Sequence, residues 1–321
     1  MHDLGPIQQS DPTMTVELSS ARQENVARGI GLRIASAGSF STMAALLKLA
    51  GEQGVVAPEM MFYRALFGLP VVLIWVFATG GVGVLSTQRP LAHLGRTALG
   101  ILAILCSLQA LVMLPLAEAA TIGFTMPIFA TLLAWLLLRE RVGRRRWLAV
   151  ACGLFGVVII MRPGGGGGAL PLAGVIVGLF AALGTAGVTV ALRQMRETEH
   201  VATIVFWFFA GSGLVGLALL PLFGSVHDGE TMALLAAAGV AGGFMQITMT
   251  ASLQSAPVSV LAPFDYLQIV GAVVLGWALL STLPTVNTLA GAIIISGSGL
   301  FTAWRERVLQ RERVITATPF S

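Results

Sequence analysis

The sequence predicts an all-α integral membrane protein: ten transmembrane helices arranged as two inverted five-helix repeats, with the N and C termini cytoplasmic. Three observations predict it. Of 321 residues, 56% are hydrophobic and only 11% charged, and the mean hydropathy is +0.86, too apolar for the surface a soluble domain must show to water. The charges fall between apolar runs or at the two ends, not along amphipathic faces around one soluble core. Landmarks on one side of the glycine string Gly164–Gly168 also recur on the other.

The polar residues Asp3, Asp11, Glu17, Arg22, Glu24 and Arg28 precede the first apolar run. They form a tail at 1–29 without the short apolar core or small-residue cleavage site of a signal peptide. The first repeat, 30–162, holds predicted spans at 30–49, 58–79, 97–115, 119–138 and 146–161. The fourth follows the tight connection Pro115–Glu118. The fifth is short of the roughly 20 residues a crossing needs, and it begins within Arg144–Trp147 or lies with little tilt. Residues 163–171 read as a flexible linker, because no Lys-Ser/Thr follows the glycines as in a phosphate loop. The second repeat, 172–304, holds spans at 172–192, 201–223, 231–252, 258–281 and 286–304, with another tight connection at Leu253–Pro257. A cytoplasmic tail closes the chain at 305–321.

Charge placement supports the count. With the N-terminus inside, alternate connections carry Arg89 and Arg96, then Arg139, Arg141, Arg144, Arg145 and Arg146, then Arg193 and Arg196, and the C-terminal tail adds Arg305, Arg307, Arg311 and Arg313. The other side has only Lys48 and Arg162 as flanking cations, beside Glu52, Glu59, Glu118, Asp228 and Glu230. That is the asymmetry of the positive-inside rule, and an odd number of spans would scramble it.

The recurrence is also visible in letters. Leu116-Ala117-Glu118-Ala119-Ala120 leads into a span with Pro127 and then Ala134-Trp135; Gln254-Ser255-Ala256-Pro257-Val258 leads into one with Pro263 and then Gly276-Trp277. Five spans per half is an odd number, so the second copy enters the membrane from the opposite side. Such inverted repeats, related by a pseudo-two-fold axis in the membrane plane, are the arrangement that permits alternating access.

These residues resemble the EamA-like branch of the drug/metabolite transporter superfamily. The resemblance rests on Leu116–Thr121, Pro127 and Leu138-Arg139-Glu140-Arg141-Val142 in the first half. In the second it rests on Val260-Leu261-Ala262-Pro263-Phe264-Asp265-Tyr266-Leu267-Gln268 with Gly276-Trp277, and it covers roughly residues 30–304. It implies a ten-helix bundle of the bacterial inner membrane with a central cavity, carrying a small organic solute such as an amino acid, a vitamin such as riboflavin, S-adenosylmethionine, a nucleoside-like compound or a drug. The chain departs from the family in one place. The ninth helix often ends in a glutamate before a proline, as Glu140 closes the fourth, but here Thr282 precedes Leu283-Pro284.

Few residues are candidates for the solute or proton path. Asp265 lies deep in the ninth span, where a carboxylate costs several kcal/mol unless it faces a cavity or a partner. It reads either as a substrate or proton site or as half of a buried ion pair with Arg33. Arg64 can bind an anionic group bidentately, or it can snorkel or pair with Glu118 or Glu59. Glu118 opens the fourth helix, where a carboxylate complements the helix dipole. Tyr266, Gln268, Gln109, Gln246, Gln254 and Trp207 can add orienting groups to an apolar cavity, although each is also a plausible packing residue. Pro127 and Pro263 are the helix-break candidates. Cys106 and Cys152 lie in apolar spans and read as small hydrophobes, not a disulfide.

The expected partners are the lipid bilayer and a small-molecule solute, and the reading allows a homodimer. Nucleic acid is not expected, because the basic residues flank spans and do not interleave with aromatics. Hydrolase and zinc motifs are absent from the sequence, so no catalytic residue, metal or cofactor is assigned. The rival class is a membrane enzyme or scaffold that moves nothing.

Overall fold

The computed structural model describes residues 12–87, 89–137, 143–161, 170–195, 199, 201–256 and 258–317. Among them all regular structure is helical. The helices are α1 (Pro12–Glu52), α2 (Ala57–Thr79), α3 (Pro90–Met113), α4 (Leu116–Gly123), α5 (Met126–Leu137), α6 (Arg144–Met161), α7 (Leu172–Met195), α8 (Val201–Phe223), α9 (Gly229–Ser255), α10 (Val258–Asp265), α11 (Leu267–Leu280) and α12 (Val286–Ala317). A 3₁₀ turn, Val82–Leu85, lies between α2 and α3. Eight stretches are long and apolar enough to cross a membrane, counting α4 with the start of α5 as one, and Trp147–Met161 and Val286–Thr302 are shorter apolar helices.

Several expected boundaries move. The two tails are helical where described: α1 starts at Pro12 and α12 runs to Ala317. Hydropathy reports where lipid contact ends, and a helix continues past that point for as long as its backbone bonds are made. The apolar part of α1 begins at Val26. The third helix starts at Pro90, with the proline in the first turn where its missing N–H costs nothing. Arg96 therefore belongs to α3 and not to a connection. The fourth and ninth spans are each two helices. Residues 138–142 and 162–169, which include Arg139, Glu140, Arg141 and the glycine string, lie outside the described residues.

The two halves match element by element. Helices α2 and α8 have 23 residues each, and α4 and α10 have 8 each. One offset carries Leu116 to Val258, Gly123 to Asp265 and Trp135 to Trp277. It corrects the register read from letters, which had set Leu116 against Gln254.

The core lies between the halves. One apolar cluster joins α1, α2, α3 and α9 through residues such as Leu47, Met60, Leu108 and Leu235; a second joins Ala65, Val72 and Val76 of α2 to Val205 and Phe209 of α8. A third links α3, α4, α6, α7 and α12 around Ile122, Ile160 and Ile295. Large apolar side chains such as Ile74, Phe77, Trp277 and Ile293 point outward, as on a surface solvated by lipid. Glycines set the closest crossings. A Cβ on Gly239 of α9 would lie 2.6 Å from Phe67 Cβ and 3.1 Å from the Tyr63 carbonyl of α2. Gly156 of α6 and Gly291 of α12 each face the other's carbonyl oxygen, at 3.1 and 2.7 Å from a built Cβ. Small residues allow such contact, which adds dispersion attraction where lipid gives no hydrophobic drive.

Candidate functional site

The paired helix breaks are the centre of the candidate site. Phe124 and Thr125 interrupt the first, where the Thr125 hydroxyl donates to the Ile122 carbonyl at 2.7 Å and the Ile128 amide restarts the ladder on the Thr125 carbonyl. Pro127 follows this break in the opening turn of α5. Pro263 precedes the second break, inside α10, and the chain turns at Tyr266. The prolines thus act from opposite sides of their breaks. A proline disfavours helical geometry at the residue before it and removes a donor within the following turn. The two breaks meet: the rings of Phe124 and Tyr266 stack with centroids 4.8 Å apart and an interplanar angle of 27°. The Tyr266 hydroxyl rests against Gly299 of α12, where only a glycine leaves room for it.

Beside this stack, Arg33 of α1 grips Asp265 with two bonds, Nε to Oδ1 at 2.5 Å and Nη2 to Oδ2 at 2.7 Å. Asp265 ends α10, where the helix dipole opposes a carboxylate, and the guanidinium offsets it. Both side chains are largely withdrawn from the surface, at 11% and 24% exposure. Leaving either partner alone in such surroundings costs about 3–5 kcal/mol. Ser41, two turns along α1, donates to the Gln268 carbonyl at 3.2 Å, so α1 also holds the start of α11.

A second group of charges is differently placed. Arg64 of α2 and Arg96 of α3 are 2% and 5% exposed, and Nε and Nη2 of Arg64 and Nε and Nη1 of Arg96 have no hydrogen-bond acceptor. Both guanidiniums lie over Phe208 of α8, at 5.7 and 4.2 Å from its centroid, and Arg64 lies 5.0 Å from that of Phe209. Cation–π contacts supply about 0.5–2 kcal/mol each, less than the several kcal/mol it costs to desolvate each ion. Arg64 pairs with neither expected carboxylate. Glu59 turns to the α8–α9 loop, and Glu118 accepts a 2.7 Å bond from Thr288 of α12.

The α2/α8 pair is closed at both ends. At one end the fully buried Glu59 accepts from the Val56 amide at 3.2 Å and the Ser225 amide at 2.6 Å, and lies 3.0 Å from His227 Nε2. Thr231 also donates to Gln53 there. At the other end Glu199 accepts from Thr87 at 3.0 Å, and its second oxygen is 3.2 Å from His93 Nε2. The Thr203 hydroxyl donates to the Val84 carbonyl, and the Trp207 indole N–H to the Leu85 carbonyl at 3.2 Å. Each closure sets a glutamate before or within the first turn of α2 or α8 against a histidine of the other half.

The remaining candidates are dispersed. Trp207 is 41% exposed and pins the 3₁₀ turn, and Gln109 is exposed on α3. Gln246 is half-buried on α9, Gln268 half-buried at the start of α11, and the side chain of Gln254 lies outside the described residues. Lys48 donates to the Val112 and Leu114 carbonyls at 3.1 and 3.0 Å, closing the C-terminal end of α3. The Thr282 amide and hydroxyl both donate to the Gly276 carbonyl, at 3.0 and 3.1 Å, where the family often has its glutamate. Sequence reasoning missed Arg96, His93 and Glu199. The Arg89-Pro90 pair, a helix-start signal, would have brought Arg96 and His93 into α3.

Comparison with known proteins agrees with this architecture. Residues 27–162 and 172–304 each match the EamA-like transporter family. The chain is 30% identical over 268 residues to a pseudopaline exporter of Pseudomonas aeruginosa, covering 83% of this chain and 93% of that one. It is 25% identical over 279 residues to an S-adenosylmethionine uptake transporter of Rickettsia felis, covering 87% and 93%. Against a riboflavin transporter of Rhizobium johnstonii it is 30% identical over 269 residues, covering 83% and 85%. A solved crystal structure shares the fold at a TM-score of 0.55 and 20% identity, covering 86% of this chain and 98% of that one.

Proposed function

The chain belongs to the EamA-like transporter family, and from that membership we propose that it carries a small organic metabolite across the bacterial inner membrane by alternating access. It is a multi-pass transporter and not an enzyme. In this reading ten helices cross the bilayer, both termini are cytoplasmic, and residues 30–162 and 172–304 are inverted repeats that rock about the paired breaks. The observation that carries it is the stack of Phe124 on Tyr266, which joins the broken helix of one half to that of the other. Broken helices buried in protein are where transporters expose backbone polar groups to a solute. Arg33–Asp265 is the charge pair nearest that junction in sequence, and exchange of its proton or its partner is the proposed means of coupling.

Relatives named for export and for uptake are both about as similar to this chain, which supports a family-wide mechanism and leaves riboflavin and S-adenosylmethionine as candidates for uptake. The test is solute counterflow with purified protein in liposomes. Saturable exchange of one labelled metabolite against its unlabelled form is expected. Chemical conversion without movement would favour the membrane enzyme, and non-saturable flux would favour a channel.

A further inference from the structure

Among the described residues four carboxylates lie within the bundle, and each is engaged: Glu59 with Ser225 and His227, Glu118 with Thr288, Glu199 with Thr87 and His93, and Asp265 with Arg33. Among the described residues no carboxylate lies within ion-pair distance of Arg64 or Arg96. Their burial is nevertheless deeper than that of Arg33. The comparison with Arg33 is direct. Its Nε and Nη2 form the planar fork that holds Asp265, and the same two atoms of Arg64 have no acceptor in the protein. The two cations converge on one ring, Phe208, which comes from the opposite half of the chain.

We propose that Arg64 and Arg96 together bind the anionic head, a carboxylate or phosphate, of the transported solute, with Phe208 and Phe209 facing the rest of it. The inference rests on the transporter reading and narrows its substrate class to organic anions. A planar fork matches two oxygens of one oxyacid, and a second guanidinium nearby takes the remaining charge or oxygen. Like charges repel in an apolar interior, and an anion between them removes that repulsion. The site lies between the Glu59 and Glu199 closures, so either end can admit the solute when its closure opens. Gly68 and Gly100 lie beneath the Phe209 and Phe208 rings, where a larger side chain would push the rings out of place.

The test is thermal melting of the purified protein in neutral detergent at constant ionic strength. The probes are sodium benzoate, phenyl phosphate, neutral benzamide and phosphatidylglycerol. Benzoate or phenyl phosphate is expected to raise the Tm and benzamide to leave it unchanged. In Arg64→Gln and Arg96→Gln the half-saturating anion concentration is expected to rise at least about tenfold, and without anion neither variant should melt below the parent. Should a glutamine variant not fold, Arg64→Lys and Arg96→Lys keep the charge and lose the fork, and a weakened anion response is expected. The proposal is overturned if neither anion shifts the Tm, if benzamide acts equally, if the variants respond as the parent does, or if only phosphatidylglycerol stabilises, which would assign the pair to lipid headgroups. Counterflow of a neutral solute without an anion response would defeat this proposal and spare the transporter reading. An anion response without any flux would do the reverse.

Discussion

At the scale of single residues, charge placement explains most of what the bundle holds fixed. Asp265→Asn leaves Arg33 without its anion, and the expected loss is about 3–5 kcal/mol of stability, seen as a lower melting temperature in detergent. Joining it with Arg33→Gln should recover much of that loss, because both charges are then gone, while counterflow stays abolished. If the single substitution melts normally and transports normally, the pair has neither role. Asp265 and Arg33 were legible in the sequence because both are charges within apolar runs, Arg33 near the start of the first span. Arg96 was not, because hydropathy drew its span to start at residue 97 while the helix starts at Pro90, and the arginine then looked like a cytoplasmic anchor. The same smoothing hid the His93–Glu199 contact, which needs the folded α2–α3 connection to bring its members together.

At the scale of elements, helix crossings and caps decide what can be changed. Gly239→Ala should cost about 1–3 kcal/mol by overpacking α9 against the α2 backbone, whereas Gly297→Ala, with nothing within 4 Å of its built Cβ, should be neutral. Folded yield and melting temperature of the two variants check the contrast. Asp228 caps α9, its carboxylate accepting from the Thr231 amide at 2.9 Å. Its bonds with Thr231 hold that carboxyl below the usual range. The cap therefore contributes fully above the unfolded pKa of about 4 and is lost as pH falls through its lowered folded value. Asp228→Ala should melt below the parent at pH 7, with the gap closing in acid, and an unchanged gap would remove the cap from the account. The all-helical membrane class was legible at this scale because apolar length is a strong signal, while two of the ten expected spans are the shorter apolar helices Trp147–Met161 and Val286–Thr302. The breaks within the fourth and ninth spans were anticipated from Pro127 and Pro263, but their positions depend on which side of each proline the neighbouring helices support.

At the scale of the whole molecule, the two closures and the matching halves would set the geometry of the proposed motion. Glu59→Ala removes the acceptor for the Ser225 amide and the His227 contact, so amide hydrogen exchange in 224–228 should rise at least about tenfold with α8 itself unaffected. Protection that stays the same would mean the loop is held by something else. Tags on the two ends should both be reached only from the cytoplasmic side, and labelling from opposite faces would undo the inverted-repeat reading. The likeness of the two halves was legible because the proline and tryptophan landmarks recur, and both stretches match the same family. The contact of Phe124 with Tyr266 was not, since it joins positions far apart in the chain. One further consequence follows from Gly156 and Gly291. If the repeats rock as proposed, the backbone-to-backbone seam of α6 and α12 is a contact they keep throughout, and the greatest travel falls at the rim farthest from it.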